Sequence, residues 1–340
     1  MTYLRLRIKI LDGKRENEKK RKEGKSMDFL STFLNVLIIV VLAIPGYFLR
    51  KVKLFPETAA SILAVLLLYI SQPFLMMASL FNKPFESSML INFAWVIGFA
   101  VVLQFLIYFV ARLIFWKCKD EAAKRACVAT SYLGNVGFMG IPVMQMLFPD
   151  NADLVLYTVV YNIAFNAMTW TLGVYAITGE RKRINALKII LNPPTIAVIV
   201  ALPFFFCNVP IPEQVMTPIS YLGDMTLPLS MIILGVRLAD MKPIRLINDG
   251  KVYLATFVKL IISPLLSLGV MLLIALLVPI DGYVLVALYV IAAMPAASSA
   301  LNFAEMYNGD RETAAASTLM STILCIVTIP VLMLLCQYLV

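Results

Sequence analysis

The sequence predicts an all-α integral membrane protein, with ten transmembrane helices in two inverted five-helix repeats and with broken helices 4 and 9 crossing each other. Three observations support this fold class. Hydrophobic residues make up 61% of the 340 residues and the mean hydropathy is +0.87, a balance that soluble domains do not have. Apolar segments recur along the whole chain. Two of them, one in each half, carry helix-breaking residues where a plain anchor would carry leucine.

Ten apolar segments can be delimited, and we number the predicted helices 1 to 10 after them. Most reach the roughly 20 residues that a helix needs to cross the hydrocarbon. The sixth is short and contains Pro203. The segments cover residues 29–49, 58–81, 89–116, 126–148, 154–178, 194–210, 217–238, 251–279, 283–307 and 315–339.

The loops between these segments alternate in charge. The even-numbered loops contain Lys83 as their one basic residue. Basic residues concentrate at the odd-numbered loops, which the positive-inside rule places in the cytoplasm. With ten helices, both termini of this multi-pass plasma-membrane protein are then outside. The basic residues at the first, third, fifth and seventh loops are Arg50, Lys51, Lys53, Lys117, Lys119, Lys124, Arg125, Arg181, Lys182, Arg183, Lys188, Arg237, Lys242 and Arg245.

Residues 1–26 form a basic tail that conflicts with this topology. The tail holds ten Lys and Arg against four Asp and Glu, and all of them would have to cross the membrane. It has no secretory cleavage signature. We therefore expect translation to begin at Met27, and the alternative is a genuine tail that binds acidic lipid headgroups.

The two halves of the chain resemble each other. The stretch SQPFLMMASL around Pro73 matches TLPLSMIILGV around Pro228 at an offset of 155 residues, and at that offset Gly140 falls on Pro295 and Pro142 on Ala297. The predicted repeats are 27–178 and 194–340, joined by a cytoplasmic linker, 179–193. Five helices is an odd number, so the second repeat must be inverted. The alternative is chance similarity between apolar helices.

Two interruptions define the candidate site. The fourth segment contains Asn135, and its breaking residues are Gly134, Gly137, Gly140 and Pro142. The ninth contains Pro295, with the small residue Ala296 beside it. Asn135 and Pro295 both lie roughly 14 to 18 Å along their segments, so the two breaks should meet near the midplane. Unwound backbone at that depth is tolerated where it lines a protein-walled cavity.

The meeting point is predicted to bind an anion, most simply a carboxylate. A half-helix restarts after each break, with Pro142 and Pro295 suited to its first turn. The free N–H groups and positive dipole ends of both half-helices then point at one place. Asn135 can donate a side-chain hydrogen bond there, and the competing interpretation of each proline is a simple kink. The residues expected to assist are Ser298, Ser299 and Asn302 from helix 9 and Thr130 and Ser131 from helix 4.

Other polar residues within the apolar segments have open roles. Asn162 and Asn166 lie one turn apart, where they either hydrogen-bond to a neighbouring helix or line the cavity. Asp224 and Lys259 are charges placed deep in helices 7 and 8. They could pair with each other, carry a proton or ion coupled to transport, or face a water-filled vestibule.

These motifs resemble the auxin efflux carrier family, which includes plant carriers and bacterial permeases. The stretch GNVGFMGIP, which begins at Gly134, is similar to the family's crossover in helix 4, and Asn135 takes the place of its substrate-binding asparagine. Pro295 matches the crossover proline of helix 9, and FAEMYN, from Phe303 on, resembles a family stretch downstream. Gly134 stands where plant carriers have a proline.

The resemblance implies an architecture and a mechanism. Helices 1, 2, 6 and 7 would form a scaffold, and helices 3–5 and 8–10 a transport domain that moves against it like an elevator. It also implies a homodimer in the lipid bilayer. Substrates of the bacterial relatives suggest carboxylates of the malate or malonate type or auxin-like indole acids.

We therefore expect a secondary transporter of small organic anions, with an anion channel or a transporter-like membrane sensor as the alternative. No cofactor, metal or nucleic acid is expected, and coupling to a proton or sodium stays open. The chain has no histidine, which excludes serine–histidine hydrolysis and the HExxH metalloproteases. An intramembrane aspartyl protease would need a second acid at the depth of Asp224, and none occurs. We do not expect an enzyme.

Overall fold

The computed structural model describes residues 29–240 and 249–336, and this part of the chain is helical with short connections. The basic tail, Met27, Lys242 and Arg245 lie outside the described residues. We number the α-helices in chain order as α1 Phe29–Val41, α2 Ala43–Lys51, α3 Ala59–Leu66, α4 Gln72–Phe81, α5 Met89–Ile114, α6 Glu121–Tyr132, α7 Ile141–Leu147, α8 Ala152–Met168, α9 Val174–Thr178, α10 Ala186–Ile190, α11 Pro193–Phe206, α12 Glu213–Asp224, α13 Thr226–Asp240, α14 Gly250–Phe257, α15 Ser263–Ala275, α16 Gly282–Ala292, α17 Ser298–Met306 and α18 Arg311–Cys336.

Within the described residues, six helical spans are long and apolar enough to cross a membrane. Three shorter apolar helices accompany them, namely Val136–Leu147, Pro193–Phe206 and Gly282–Ala292. The protein is thus an all-helical membrane protein, while the count of ten crossings and their inverted arrangement stay predictions. The six long spans are Leu30–Lys51, Ala59–Phe81, Met89–Ile114, Glu213–Asp240, Gly250–Ala275 and Arg311–Leu335.

Prolines shape several of these helices. Pro73, Pro142 and Pro264 each follow a π-helical turn by two residues, the turns being Leu67–Ser71, Val136–Gly140 and Val258–Ile262. A proline inside a helix lacks the N–H for the carbonyl four residues earlier and collides with that carbonyl. A wider turn before the proline relieves the collision.

The offset of 155 residues pairs Pro73 with Pro228 in sequence but does not align the two breaks in the structure. Pro73 follows a π turn, and Pro228 follows the short interruption at Met225, between α12 and α13. At the breaks, however, the residues that precede the restarted helices are Asn135 and Ala297, which are 162 residues apart. The predicted match of Pro142 with Ala297 is therefore wrong, because Pro142 lies inside the restarted helix.

Glycines bring two helices into backbone contact. A Cβ at Gly46 of α2 would collide with the carbonyl oxygen of Ile232, and one at Gly235 of α13 would collide with that of Ala43. Small residues permit this close approach between membrane helices. Arg50, near the end of α2, donates to Asp240, the last residue of α13, over 2.6 Å. Helices α2 and α13 therefore form one tightly joined unit.

The two interrupted helices occupy the centre of the molecule. Every residue from 284 to 292 in α16 is buried, and so is every residue from 126 to 132 in α6. Both stretches are therefore surrounded by other parts of the protein.

Candidate functional site

The first interruption spans residues 133–135. Helix α6 ends at Tyr132, Leu133 is extended, and Asn135 has φ −79° and ψ 63°. The chain then resumes with the π turn Val136–Gly140 and continues into α7. The sequence predicts Pro142 in the first turn of the restarted helix. Pro142 is the second residue of α7, but the restart itself is the π turn at Val136, so Pro142 lies one turn later.

The second interruption spans residues 293–297. Helix α16 ends at Ala292, and Ala297 adopts an extended conformation with φ −75° and ψ 140° before α17 begins at Ser298. Pro295 lies in the non-helical stretch ahead of the restarted helix. The expectation that Pro295 occupies the first turn of α17 is therefore wrong, because α17 begins three residues later, at Ser298.

The two interruptions pair with each other through their backbones. The N–H of Asn135 donates to Pro295 O over 2.8 Å, and the N–H of Ala297 donates to Leu133 O over 2.9 Å. These bonds form an antiparallel bridge between Gly134 and Ala296. They satisfy backbone groups that the broken helices leave free, which is the condition for non-helical backbone at membrane depth. The meeting of the breaks that the sequence predicts is present.

A third part of the chain supports this bridge. The N–H of Ala296 donates to Ser321 Oγ of α18 over 3.0 Å, and that hydroxyl in turn donates to Thr318 O. The interruption 293–297 is therefore held on one side by residues 133–135 and on the other by α18.

A cavity of about 480 Å³ lies at the start of both restarted helices. Some of its lining residues come from the span Ala59–Phe81 and from α13, and the others come from the interruptions, from α8 and the turn after it, and from α17 and α18. The predicted residues that line it are Gly134, Asn135, Gly137, Asn162, Asn166, Ser298, Ser299 and Asn302. Asn135 itself is buried, with 7% of its surface exposed.

The structure places the remaining predicted residues elsewhere. Thr130 bonds back to Ala126 O within α6, and Ser131 Oγ lies 3.5 Å from Ala255 O of α14. The breaking residues that do not line the cavity are Gly140, Pro142, Pro295 and Ala296.

Asp224 and Lys259 do not pair. Among the described residues no ion pair joins them, because Asp224 is exposed while Lys259 is 2% exposed within the protein. The Lys259 ammonium donates to Ala292 O over 3.4 Å, at the end of α16, and a Cβ at Gly134 would lie 3.1 Å from it. Lys259 thus lies behind the interruptions, at the carbonyl end of α16, and outside the cavity lining.

Sequence reasoning missed several cavity residues. The charge pattern groups Arg237 with the cytoplasmic loop charges, yet Arg237 shares one face of α13 with Ser230 and Leu234. The spacing of these three residues along the helix was the available signal. Gln72 reaches the position that a Cβ at Gly137 would occupy. The missed polar lining residues are Ser61, Gln72, Thr169, Trp170, Ser230, Arg237, Glu305 and Thr322.

Five lining side chains carry a buried polar atom that has no hydrogen-bond partner among the described residues. Buried polar groups are almost always satisfied, so such a cluster needs an explanation. Four of the five atoms can donate a hydrogen bond. The atoms are Asn162 Oδ1, Asn166 Nδ2, Thr169 Oγ1, Arg237 Nη1 and Ser299 Oγ.

Comparison with known proteins assigns the family. A family model described as "Membrane transport protein" matches residues 31–188 and 182–333. The chain belongs to this family. The predicted resemblance to the auxin efflux carriers is thereby confirmed, because the matched family is the auxin efflux carrier-like family of membrane transporters.

Relatives in this transport family cover most of the chain. An uncharacterized transporter of Methanocaldococcus jannaschii is 27% identical over 301 residues, which is 84% of this chain and 93% of that protein. An uncharacterized transporter of Escherichia coli is 23% identical over 89% of this chain and 96% of its own length. One of Methanothermobacter thermautotrophicus is 25% identical over 89% of this chain and 98% of its own. A membrane transporter is therefore the supported class.

Proposed function

We propose that the protein is a secondary transporter that carries small organic anions across the cell membrane, with the crossover cavity as its binding site. The main support is the cluster of unpartnered polar atoms on the cavity wall. An ionised carboxylate only accepts hydrogen bonds, and four of these five atoms can donate one. One bound carboxylate would satisfy several of them at once.

The electrostatics of the restarted helices favour the same ligand. The N–H groups of Ser298 and Ser299 open α17 and have no acceptor within their own helix. The helix beginning at Val136 presents its N-terminus to the same cavity. Two positive dipole ends in a buried setting stabilise negative charge, and the Asn135 amide adds a directed donor. Gly137 leaves room there for the side chains of Gln72 and Asn162.

The position of the cavity supports an elevator-type alternating access mechanism. Helix α13 and the span Ala59–Phe81 belong to the predicted scaffold, whereas the interruptions, α8, α17 and α18 belong to the predicted transport domain. A ligand held between the two units would travel with the transport domain when it slides. Arg237, Glu305 and Met306 line the cavity near helix ends that the charge pattern predicts to be cytoplasmic, which supports an inward-facing arrangement.

Coupling and assembly belong to the same proposal. Lys259 is a candidate for proton coupling because a buried ammonium next to the interruptions would respond to their movement. Asp224, which is exposed, is the weaker candidate. Carboxylates of the malate, malonate or auxin type remain the proposed substrates, and a homodimer the proposed assembly.

Reconstitution would test the function. We expect purified protein in liposomes to show saturable uptake of a labelled carboxylate that is accelerated by unlabelled carboxylate on the opposite side. Counterflow of this kind requires a carrier that alternates between two states. Flux that rises without saturation and shows no counterflow would favour the channel alternative instead.

A further inference from the structure

Arg237 forms a charged second end to the crossover cavity. Its Nη2 donates to Asn302 Oδ1 over 2.8 Å, and its Nη1 is buried without a partner among the described residues. Asn302 lies four residues after Ser298 in α17, which is about 6 Å along the helix axis. The guanidinium is thus held one helical turn away from the N-terminus of α17.

The hydrogen bond to Asn302 accounts for only one end of the Arg237 guanidinium. Glu305, one turn beyond Asn302, is the acidic residue on the cavity lining, and no ion pair within 4 Å joins it to Arg237 in the described part of the chain. A buried guanidinium nitrogen without an acceptor is costly unless an anion meets it. Asn302 fixes the guanidinium in place through Nη2 and leaves Nη1 directed to another partner.

We infer that Arg237 and Asn302 build a second anion subsite, so that this cavity selects organic acids with two negative groups over acids with one. This inference rests on the proposed function, since it assumes that the first carboxylate binds at the crossover. That carboxylate would accept from Asn135 and from the N–H groups that open α17. The second would accept from Arg237 Nη1, which Asn302 holds about one helical turn from the start of α17. Guanidinium groups bind carboxylates through charge-assisted hydrogen bonds, which are the strong ones.

Binding of matched acids to purified protein tests the inference. Succinate and butyrate have four carbons each and differ in the second carboxylate. We expect the wild-type protein to bind succinate at least 10-fold more tightly than butyrate. In Arg237→Gln, succinate affinity should fall about 10-fold to 100-fold while butyrate affinity stays within about 2-fold, because one charge-assisted contact is lost.

Two further variants separate binding from folding. Arg237→Lys keeps the charge but not the planar fork, so succinate affinity should fall less than in Arg237→Gln. Arg112→Gln is the matched control, because Arg112 contacts Tyr108 on α5 and does not line the cavity. It should leave both affinities unchanged.

The outcomes distinguish the inference from the proposed function. Equal affinity of the wild-type protein for succinate and butyrate would overturn the second subsite, whatever the variants do. An equal loss of affinity for both acids in Arg237→Gln would also overturn it. In either case Asn135-dependent binding of butyrate would leave the proposed function standing. Absence of any carboxylate binding by the wild-type protein would overturn both.

Discussion

Asn135 is the residue at which extended backbone returns to a helix, and it presents its side chain to the cavity. Its main-chain N–H is already bonded to Pro295 O, so the bridge between the interruptions does not depend on the side-chain amide. The backbone geometry of the crossover and the chemistry of the ligand contact are therefore separable at this position.

Asn135→Ala should weaken carboxylate binding about 10-fold and leave the thermal unfolding temperature nearly unchanged. The reason is that one hydrogen bond to a charged ligand is lost while the bridge persists. Asn135→Asp should weaken binding further, because it puts a negative charge where the ligand carboxylate would lie. Titration calorimetry on purified protein measures the affinities of both variants, and differential scanning fluorimetry measures their unfolding temperatures.

The matched control is Asn92→Ala, which removes an amide that bonds Tyr157 OH away from the cavity. It should retain full affinity. Undiminished binding in Asn135→Ala would contradict the assignment of this amide to the ligand.

Lys259 places a positive charge at the carbonyl end of α16, where the helix dipole is negative. We expect Lys259→Gln to lower the unfolding temperature by several degrees, because this favourable contact disappears from the buried centre. Lys251→Gln, in the same span Gly250–Ala275 but partly exposed, should have little effect. Differential scanning fluorimetry in detergent gives the comparison.

The lack of contact between Lys259 and Asp224 has its own test. Asp224→Asn should leave the unfolding temperature unchanged, and the double variant Asp224→Asn with Lys259→Gln should show the sum of the single effects. A clear departure from additivity would show that the two residues interact and would contradict their separation.

At the scale of elements, α2 and α13 depend on glycine where their backbones meet. Gly46→Val or Gly235→Val would push a side chain into a carbonyl of the other helix, and overpacking of this kind costs about 1 to 3 kcal/mol. We expect a lower unfolding temperature for each. Gly98→Ala is the control, because a Cβ there meets nothing within 4 Å, and it should be neutral or stabilising by up to about 1 kcal/mol. Equal tolerance at all three positions would argue against the close packing.

The sequence alone predicted some features of the broken helices and missed others. Glycine, proline and asparagine inside apolar segments predicted both interruptions and their meeting, because such residues disfavour a continuous helix. The positions of the prolines relative to the restarted helices could not be predicted, since Pro142 follows a π turn inside a helix and Pro295 lies in the non-helical interruption. Arg237 was missed because its proximity to a basic loop masked its position on the cavity face of α13.

At the scale of the whole molecule, the elevator proposal requires that the two walls of the cavity move past each other. Ser230 Oγ of α13 lies 3.4 Å from Phe138 O beside the first interruption. In a background without native cysteines, cross-linking Ser230→Cys to Phe138→Cys should abolish transport. A fixed channel would keep its flux.

A second cross-link within the predicted scaffold is the control. Arg50 and Asp240 are in contact and join α2 to α13, so linking Arg50→Cys to Asp240→Cys should preserve transport. Liposome uptake before and after reduction of each cross-link provides the measurement. Full activity of the cross-linked Ser230–Phe138 pair would exclude relative movement of these two walls.

The bridge at the interruptions also has a consequence for biosynthesis. Leu133 O and the Asn135 amide emerge from the ribosome some 160 residues before their partners, Ala297 and Pro295, and the hydroxyl of Ser321 follows later still. A nascent chain that stops after residue 178 holds the first of these groups in lipid with nothing to bond. The bridge and its support from Ser321 can therefore form only near the end of translation. An unfinished chain would expose these unpaired groups and would be a target for membrane-protein quality control.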